Sequence, residues 1–338
     1  MAITTLFFDT PLPPTAAVTW LGAAGAFAAG AVGVLCMRDK LASLLAWLVL
    51  LTSLFGFFQY FALRAGFIPF VELYRAPGYA SVEANAPAIL LYIRRPFAQF
   101  PEPSFMAGSL TLAVLAMLLI ARYFGRTRLR RVEKAAVLAG AIVIVLSESG
   151  SAVAGLGAIA VALLASSARS IGAQIRAALL IVLAAAGAIW VIEQRSSILN
   201  FSWGDRMMSI IASAQFWASD IQTFLFGLGR GGLTAAYSSG RVDVSGFQFT
   251  QQPPDVFSAI GRVLFESGLF AGGAVLLILV LLIVRGGALV APLFSVAMIT
   301  AWLVVGGITI SYESAAFIWL LPGVCMGVIA VRRGSGNE

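Results

Sequence analysis

Long apolar runs separated by short polar connections dominate the pattern of this 338-residue chain. A helix of about 20 apolar residues crosses the hydrocarbon core of a bilayer. The pattern predicts nine spans, at 15–37, 41–63, 105–123, 134–147, 152–168, 177–193, 258–284, 288–310 and 313–331. The fourth is short, so it is tilted, partial or joined to the fifth across Ser147–Ser151. We therefore expect an all-α polytopic transmembrane helix bundle, in which residues 1–338 form one integral membrane domain.

Two connections are too long to be simple turns, one at 64–104 and the other at 194–257. Long ordered connections often carry function. The second is predicted to contain an amphipathic helix at 205–221, which lies at the membrane surface or packs over the bundle. Its apolar positions recur at helical spacing, at Met207, Ile210, Ile211, Ala214, Trp217 and Ile221. Arg206, Ser209 and Ser213 fall on its other faces.

Basic residues predict the orientation of the spans. The connection RYFGRTRLRRVEK holds six cations between Arg122 and Lys134, and such a cluster stays on the cytoplasmic side. With nine spans, 13 of the 22 Lys and Arg residues lie on that side, all in short connections or the C-terminal tail. The N-terminus then falls outside and the C-terminus inside. Because the first residues lack the basic region of a signal peptide, we expect the first apolar run to be retained as a span.

Composition narrows the class of protein. Hydrophobic residues make up 60% of the chain and charged residues only 11%, against about 25% in soluble domains. This excludes a soluble enzyme, a disordered tail and a disulfide-stapled secreted domain. There is no His, and Cys36 and Cys325 lie inside apolar runs, where they are expected to pack as small hydrophobes. With no Walker lysine motif and no D-x-D pair, neither a metal nor a cofactor is expected.

Nine arginines fall on the outer side, where basic residues are disfavoured and so require a reason. They are Arg64, Arg75, Arg94, Arg95, Arg195, Arg206, Arg230, Arg241 and Arg262. Arginine binds phosphate oxygens in pairs and keeps its charge, so such a group suits a lipid-linked pyrophosphate. The alternative is that each one pairs with a nearby acid or a lipid head group. Arg206 and Arg262 are the strongest candidates, because each lies at a helix edge within or beside the larger connection.

A glycine-rich turn, Phe226–Gly232, matches G-x-G-x-x-G, but no βαβ unit surrounds it, so a dinucleotide site is not expected. Two interpretations are equally open. Its backbone N–H groups join Arg230 in holding an anion, or its glycines serve close packing and positive φ angles.

Carboxylates at the membrane boundary are candidates for a general base that takes a proton from a sugar hydroxyl. Glu148 lies between the fourth and fifth spans, and Asp255 precedes the seventh. Glu266 and Glu313 lie near span ends. The alternative is a buried ion pair, which is strong for Glu266, since Arg262 precedes it by one helical turn.

Three segments, in this order, resemble the O-antigen ligase/polymerase family of bacterial surface polysaccharide synthesis. They are LSESGSAVAGL at 146–156, Asp205-Arg206 followed by FLFGLG at 224–229, and SAIGRVLFESGLFAG at 258–272. The resemblance covers roughly residues 135–285. It implies a metal-independent glycosyltransferase of the membrane-bundle type in the bacterial inner membrane, with both long connections in the periplasm.

The resemblance also implies the substrates. A glycan on undecaprenyl pyrophosphate is the donor, and a lipid-linked repeat unit is the acceptor. Arg206 matches the family's loop arginine, and chemistry adds Arg230, Arg241 and Arg262 as further pyrophosphate-binding residues. Glu148 or Asp255 is expected to take the acceptor proton. Membrane lipids, a chain-length regulator and a flippase are the implied partners, and no nucleic acid is expected.

Two departures favour a polymerase (Wzy-type) over an O-antigen ligase. The arginine of the first motif is absent, with Gly150 or Ala152 near its place, and the ligase histidine would fall near Phe257. Two further classes stay open, a lipid-linked oligosaccharide flippase or transporter and a non-catalytic membrane subunit of a polysaccharide export system.

Overall fold

The structure is a computed structural model that describes residues 14–69, 94–100, 102–126, 128–167, 172, 175, 179, 197–245, 256, 258–309 and 316–335. Within these ranges the chain forms helices and their connections, without a strand. The first five helices are α1 Pro14–Met37, α2 Lys40–Arg64, α3 Pro103–Tyr123, α4 Arg131–Leu146 and α5 Gly150–Ser167. Three follow in the larger connection, α6 Ser197–Ala218, α7 Ile221–Phe226 and α8 Gly232–Ser238. The last three are α9 Ala259–Ala288, α10 Pro292–Val304, which continues into a π-helical turn at Val305–Thr309, and α11 Ala316–Ser335.

These helices confirm the all-α class for the described residues. The helices α1–α5 and α9–α11 coincide with eight of the nine predicted spans, and 177–193 lies outside the description apart from 179. Within the described ranges, four helices are long and apolar enough to cross a bilayer, Lys40–Arg64, Pro103–Tyr123, Ala259–Ala288 and Ala316–Gly334. They indicate a membrane protein, while the count of nine spans stays a prediction.

Helix α3 lies at the centre of the bundle. Every residue from Ser104 to Ala121 is buried, because α2, α4, α5 and α11 pack around it. A helix that is apolar on all sides belongs in an interior. By contrast, α2 and α9 each present large apolar side chains outward, such as Trp47 and Phe61 or Leu277 and Ile278. Such outward apolar faces are typical of helices that contact lipid.

Helices α1 and α11 approach each other through glycines. A Cβ atom on Gly30 would lie 2.6 Å from the Leu320 carbonyl oxygen, and one on Gly327 would lie 2.7 Å from that of Ala31. A Cβ on Gly323 would overlap the carbonyl oxygen of Phe27. Small residues at such spacing let helix backbones meet closely, as is common between helices in membranes. The packing of the last helix on the first therefore depends on Gly323 and Gly327.

Replacing Gly323 by alanine is expected to separate α1 from α11 and to lower the free energy of unfolding by roughly 1–3 kcal/mol. Gly25 on α1 gives the matched control, because no atom lies within 4 Å of a Cβ placed there. Gly25→Ala should leave stability unchanged or raise it slightly, since alanine favours a helix. Thermal unfolding of both variants in detergent measures the difference, and equal midpoints would show that the two backbones do not meet here.

Two turns lie together at one end of the bundle. Arg126, which follows α3, forms an ion pair of 2.5 Å with Glu133 and donates to the Asp39 carbonyl oxygen at 3.1 Å. Arg130 forms a second ion pair of 2.6 Å with the Asp39 carboxylate. The turn after α1 and the arginine-rich connection after α3 therefore share one side, as the charge pattern predicts. Glu102 lies at the other end of α3, about 30 Å away for a helix of this length.

Candidate functional site

A small second core lies at the Glu102 end, between α6, α7, α8 and the start of α9. Trp217 of α6 packs against Phe224 of α7 and Phe265 of α9, with ring centroids 4.5 Å and 5.5 Å away. Asp220 begins α7, because its carboxylate accepts the backbone N–H of Thr223 at 2.8 Å. That hydrogen bond also lowers the pKa of Asp220. The core fixes the turn after α7 against α9.

The glycine-rich turn and helix α9 touch through their backbones. Gly268 has non-helical angles of φ 74° and ψ 173°, which interrupt α9 between 259–267 and 269–288. Gly227, with φ 84°, lies directly against it, and a Cβ on either glycine would fall within 2.5 Å or less of the other's backbone nitrogen. Only glycine adopts such angles without large strain.

The interruption of α9 redirects its backbone hydrogen bonds. The N–H of Leu228 donates to the carbonyl oxygen of Phe265 at 3.0 Å, and the N–H of Gly229 donates to that of Glu266 at 3.0 Å. The second and third segments of the family resemblance therefore meet as one structural unit. This contact holds Arg230 beside Glu266.

Glu266 is the centre of a buried charge cluster. Its Oε2 atom lies 2.5 Å from Nη1 of Arg230, and its Oε1 atom lies 3.5 Å from Nε of Arg262. The backbone N–H of Gly231 donates to Oε1 at 3.2 Å, and Arg262 also donates to the Thr234 hydroxyl at 2.9 Å. Two guanidinium groups therefore share one buried carboxylate. Burial weakens screening by water, so the guanidinium charges act strongly on a nearby anion.

This cluster answers two questions that the sequence leaves open. The pair of Glu266 with Arg262, one turn apart, is confirmed. The glycine-rich turn both requires positive φ angles, at Gly227, Gly229 and Gly231, and holds an anion. The anion that it holds is the carboxylate of Glu266.

Arg206 lies at a second buried position on the same side of the molecule. Its guanidinium group forms an ion pair with Glu102 and donates to the Ser104 hydroxyl at 3.2 Å, at the start of α3. It also lies 5.9 Å from the ring centroid of Phe105. Only 8% of Arg206 is exposed. The pair therefore fastens the helix α6 to the central helix.

Helix α6 is longer than predicted, and it buries polar side chains as well as apolar ones. Ser209 and Ser213 are fully buried, whereas Met208 and Ile211 are exposed. The hydroxyl of Tyr237 donates to the Ser209 carbonyl oxygen at 3.0 Å and lies 2.8 Å from the Ser213 hydroxyl. The predicted apolar set is therefore divided, because Trp217 is buried while Ile211 is exposed. The buried serines find hydrogen-bond partners in Tyr237, as buried polar groups normally do.

Of the remaining candidates, the structure describes Arg241 and Glu148, and both are exposed. Arg241 is exposed, with its guanidinium carbon 5.8 Å from the ring centroid of Phe216. Glu148 is exposed in the turn between α4 and α5, with a φ of 48° that is unusual for a residue other than glycine. Asp255 lies outside the described residues. The structure thus brings Arg230 and Arg262 together, and α6 links Arg206 to them through α8.

Several contributing residues escape the sequence pattern. Glu102 and Thr234 are the partners of Arg206 and Arg262, and Tyr237 joins α8 to α6. Only Glu102 carries a signal, because a carboxylate followed by proline directly precedes a span. The other two need the tertiary fold. Arg95, one of the nine outer arginines, donates from Nε to the Ser147 carbonyl oxygen at 2.5 Å, beside Glu148.

Among the described residues, no three or more Cys, Asp or Glu side chains gather as a metal site would require. No family model, no curated protein and no solved structure matches the chain.

Proposed function

We propose that the chain is a polysaccharide polymerase of the bacterial inner membrane. It transfers a glycan from undecaprenyl pyrophosphate to a lipid-linked repeat unit at the periplasmic face. The observation that carries the proposal is the buried cluster at one end of the bundle in which Arg230 and Arg262 both contact Glu266. Two buried guanidinium groups side by side are the arrangement that a diphosphate leaving group needs.

The surroundings of the cluster suit a phosphate that carries a lipid. Leu269 and Phe270 follow Gly268 directly and are exposed, as is Phe226 at the edge of the turn. The rings of Phe226 and Phe270 lie with centroids 5.8 Å apart. An apolar surface therefore borders the buried cations. A polyprenyl chain would lie along this surface while its diphosphate meets the arginines.

The reaction follows from these charges. A hydroxyl oxygen of the acceptor sugar attacks the anomeric carbon of the donor, and the bond from that carbon to the phosphate oxygen breaks. The bonding electrons leave with the diphosphate, whose added charge the arginines stabilise. A carboxylate, Glu148 or Asp255, takes the hydroxyl proton. Because the leaving group is already activated, the step requires neither ATP nor a metal.

A flippase or transporter is the alternative from another class. Such proteins place their charged sites near the bilayer midplane. Here Arg206 meets the first turn of α3, and Arg262 lies in the first turn of α9. The charges lie near helix starts, which favours chemistry at one face. A non-catalytic subunit would give no glycan lengthening in the assay below.

Arg262→Gln is expected to lower the rate of glycan lengthening by about 100-fold or more, because the cluster loses one of its two guanidinium charges. The measurement uses purified protein with lipid-linked repeat units and follows product length by gel or mass spectrometry. Arg128→Ala is the control, since Arg128 is exposed at the opposite end of the bundle. No lengthening by the unmodified protein, or an equal rate in Arg262→Gln, would contradict the proposal.

A further inference from the structure

Arg230, Gly231 and Arg262 are donors of the kind that binds phosphate, and all three contact the carboxylate of Glu266. We infer that Glu266 is an internal competitor of the diphosphate: it occupies Arg230 and the N–H of Gly231, and a bound diphosphate takes these donors from it. The inference rests on the proposed function, since it assigns a regulatory role to the same site.

Carboxylate and phosphate oxygens present similar geometry to an arginine fork. Glu266 places one oxygen on Nη1 of Arg230 and the other on the N–H of Gly231. A phosphate group that carries two oxygens at similar separation meets the same two donors. The glycine-rich turn keeps those donors in place, because its backbone N–H groups donate hydrogen bonds to the carbonyl oxygens of residues 265 and 266 in α9. The turn is therefore built for an anion in general.

The exchange leaves no buried charge without a partner. Glu266 makes its contacts from two directions, to Arg262 on its own helix and to Arg230 and Gly231 across the interface. When a diphosphate binds Arg230 and the N–H of Gly231, Glu266 keeps its ion pair with Arg262, which lies one helical turn away. Stranding a buried charge is the costly step in breaking such pairs. Here that step is avoided, so exchange is feasible.

A further donor lies in the same small core. Trp217 is buried against Phe265, the neighbour of Glu266, and its indole N–H makes no hydrogen bond within the described part of the chain. A buried donor of this kind normally has an acceptor. Among the described residues this donor is unsatisfied, and it lies in the core that holds the glycine-rich turn against α9.

The test is equilibrium binding of inorganic pyrophosphate to the purified full-length protein at pH 7. Glu266→Gln removes the competing charge and should bind at least about tenfold more tightly than the unmodified protein. Glu266→Asp keeps the charge but withdraws it from Arg230, and should bind about threefold more tightly or better. Glu133→Gln is the matched control, because Glu133 is equally buried against Arg126 at the other end.

Each outcome decides the matter. Competition is supported if both Glu266 variants bind pyrophosphate more tightly than the unmodified protein while Glu133→Gln binds it with unchanged affinity. Binding by Glu266→Asp equal to that of the unmodified protein overturns it, and Glu266→Asp also covers the case in which Glu266→Gln fails to fold. A similar gain in pyrophosphate affinity in Glu133→Gln overturns it too, because any arginine that loses its carboxylate partner would then bind the anion. If these results hold and no glycan is lengthened, the proposed function fails and the anion site stands.

Discussion

Replacing Gly268 by alanine is expected to lower the free energy of unfolding by roughly 3 kcal/mol or more. The residue has a φ of 74°, which alanine adopts only with strain. A Cβ there would also overlap the backbone of Leu225–Gly227. The glycine-rich turn must then leave α9, and with it Arg230 leaves Glu266. Denaturation in detergent measures the loss, and glycan lengthening should be abolished at temperatures where the bundle still folds.

Gly273 on the same helix gives the matched control. A Cβ there would meet only the Leu269 side chain, at 3.5 Å, and the backbone is helical. Gly273→Ala should therefore be neutral or stabilising by up to about 1 kcal/mol. Equal stability of the two variants would show that the turn does not depend on the break in α9.

The second large effect concerns Arg206. Arg206→Ala is expected to abolish long polymer while protein level stays close to normal. The ion pair with Glu102 reaches water on the Glu102 side, where the side chain is 25% exposed. Its loss should therefore cost roughly 1–3 kcal/mol, below the range for a fully buried pair. Polymer length is read from lipid-linked products, and protein level from a blot of the membrane fraction.

A charge swap separates the structural role of Arg206, its ion pair with Glu102, from its proposed role in binding the diphosphate. Arg206→Glu alone places two carboxylates together and should reduce protein level. Adding Glu102→Arg restores an ion pair, so level and unfolding temperature should recover. Polymer should stay absent if Arg206 also meets the diphosphate. Recovery of normal chain length by the double variant would instead make Arg206 a purely structural residue.

The apolar pattern locates helices well but says little about which side of a helix faces inward. The predicted ends of α2, α3 and α11 agree with the structure to within a few residues. Hydropathy alone gives these positions, because backbone satisfaction in lipid demands helix. The same reasoning fails for α6, where Ser209 and Ser213 are buried and Ile211 is not. Which side is inside depends on partners such as Tyr237, and these lie far away in the sequence.

Some contacts of the candidate site likewise follow from the sequence, and others depend on the tertiary fold. Arg262 and Glu266 share one helix, so their pairing follows from spacing alone. Arg230 reaches Glu266 across 36 residues, and Arg206 reaches Glu102 across 104. No periodicity links such positions. The glycine-rich turn is the intermediate case, since its composition leaves an anion site as one of two open interpretations but does not indicate that the anion is a side chain of α9.

The outward apolar side of α6 has a practical consequence for anyone who divides the chain. Met208 and Ile211 of α6, with Ile221 and Phe226 of α7, are exposed beside a core in which Trp217 packs against Phe265 of α9. Excised from the chain, residues 197–245 would lose that packing partner and the ion pair of Arg206 with Glu102, and would bring uncovered apolar surface into water. The excised segment is therefore expected to aggregate in water and to keep its shape only with detergent, a bilayer or the remaining helices.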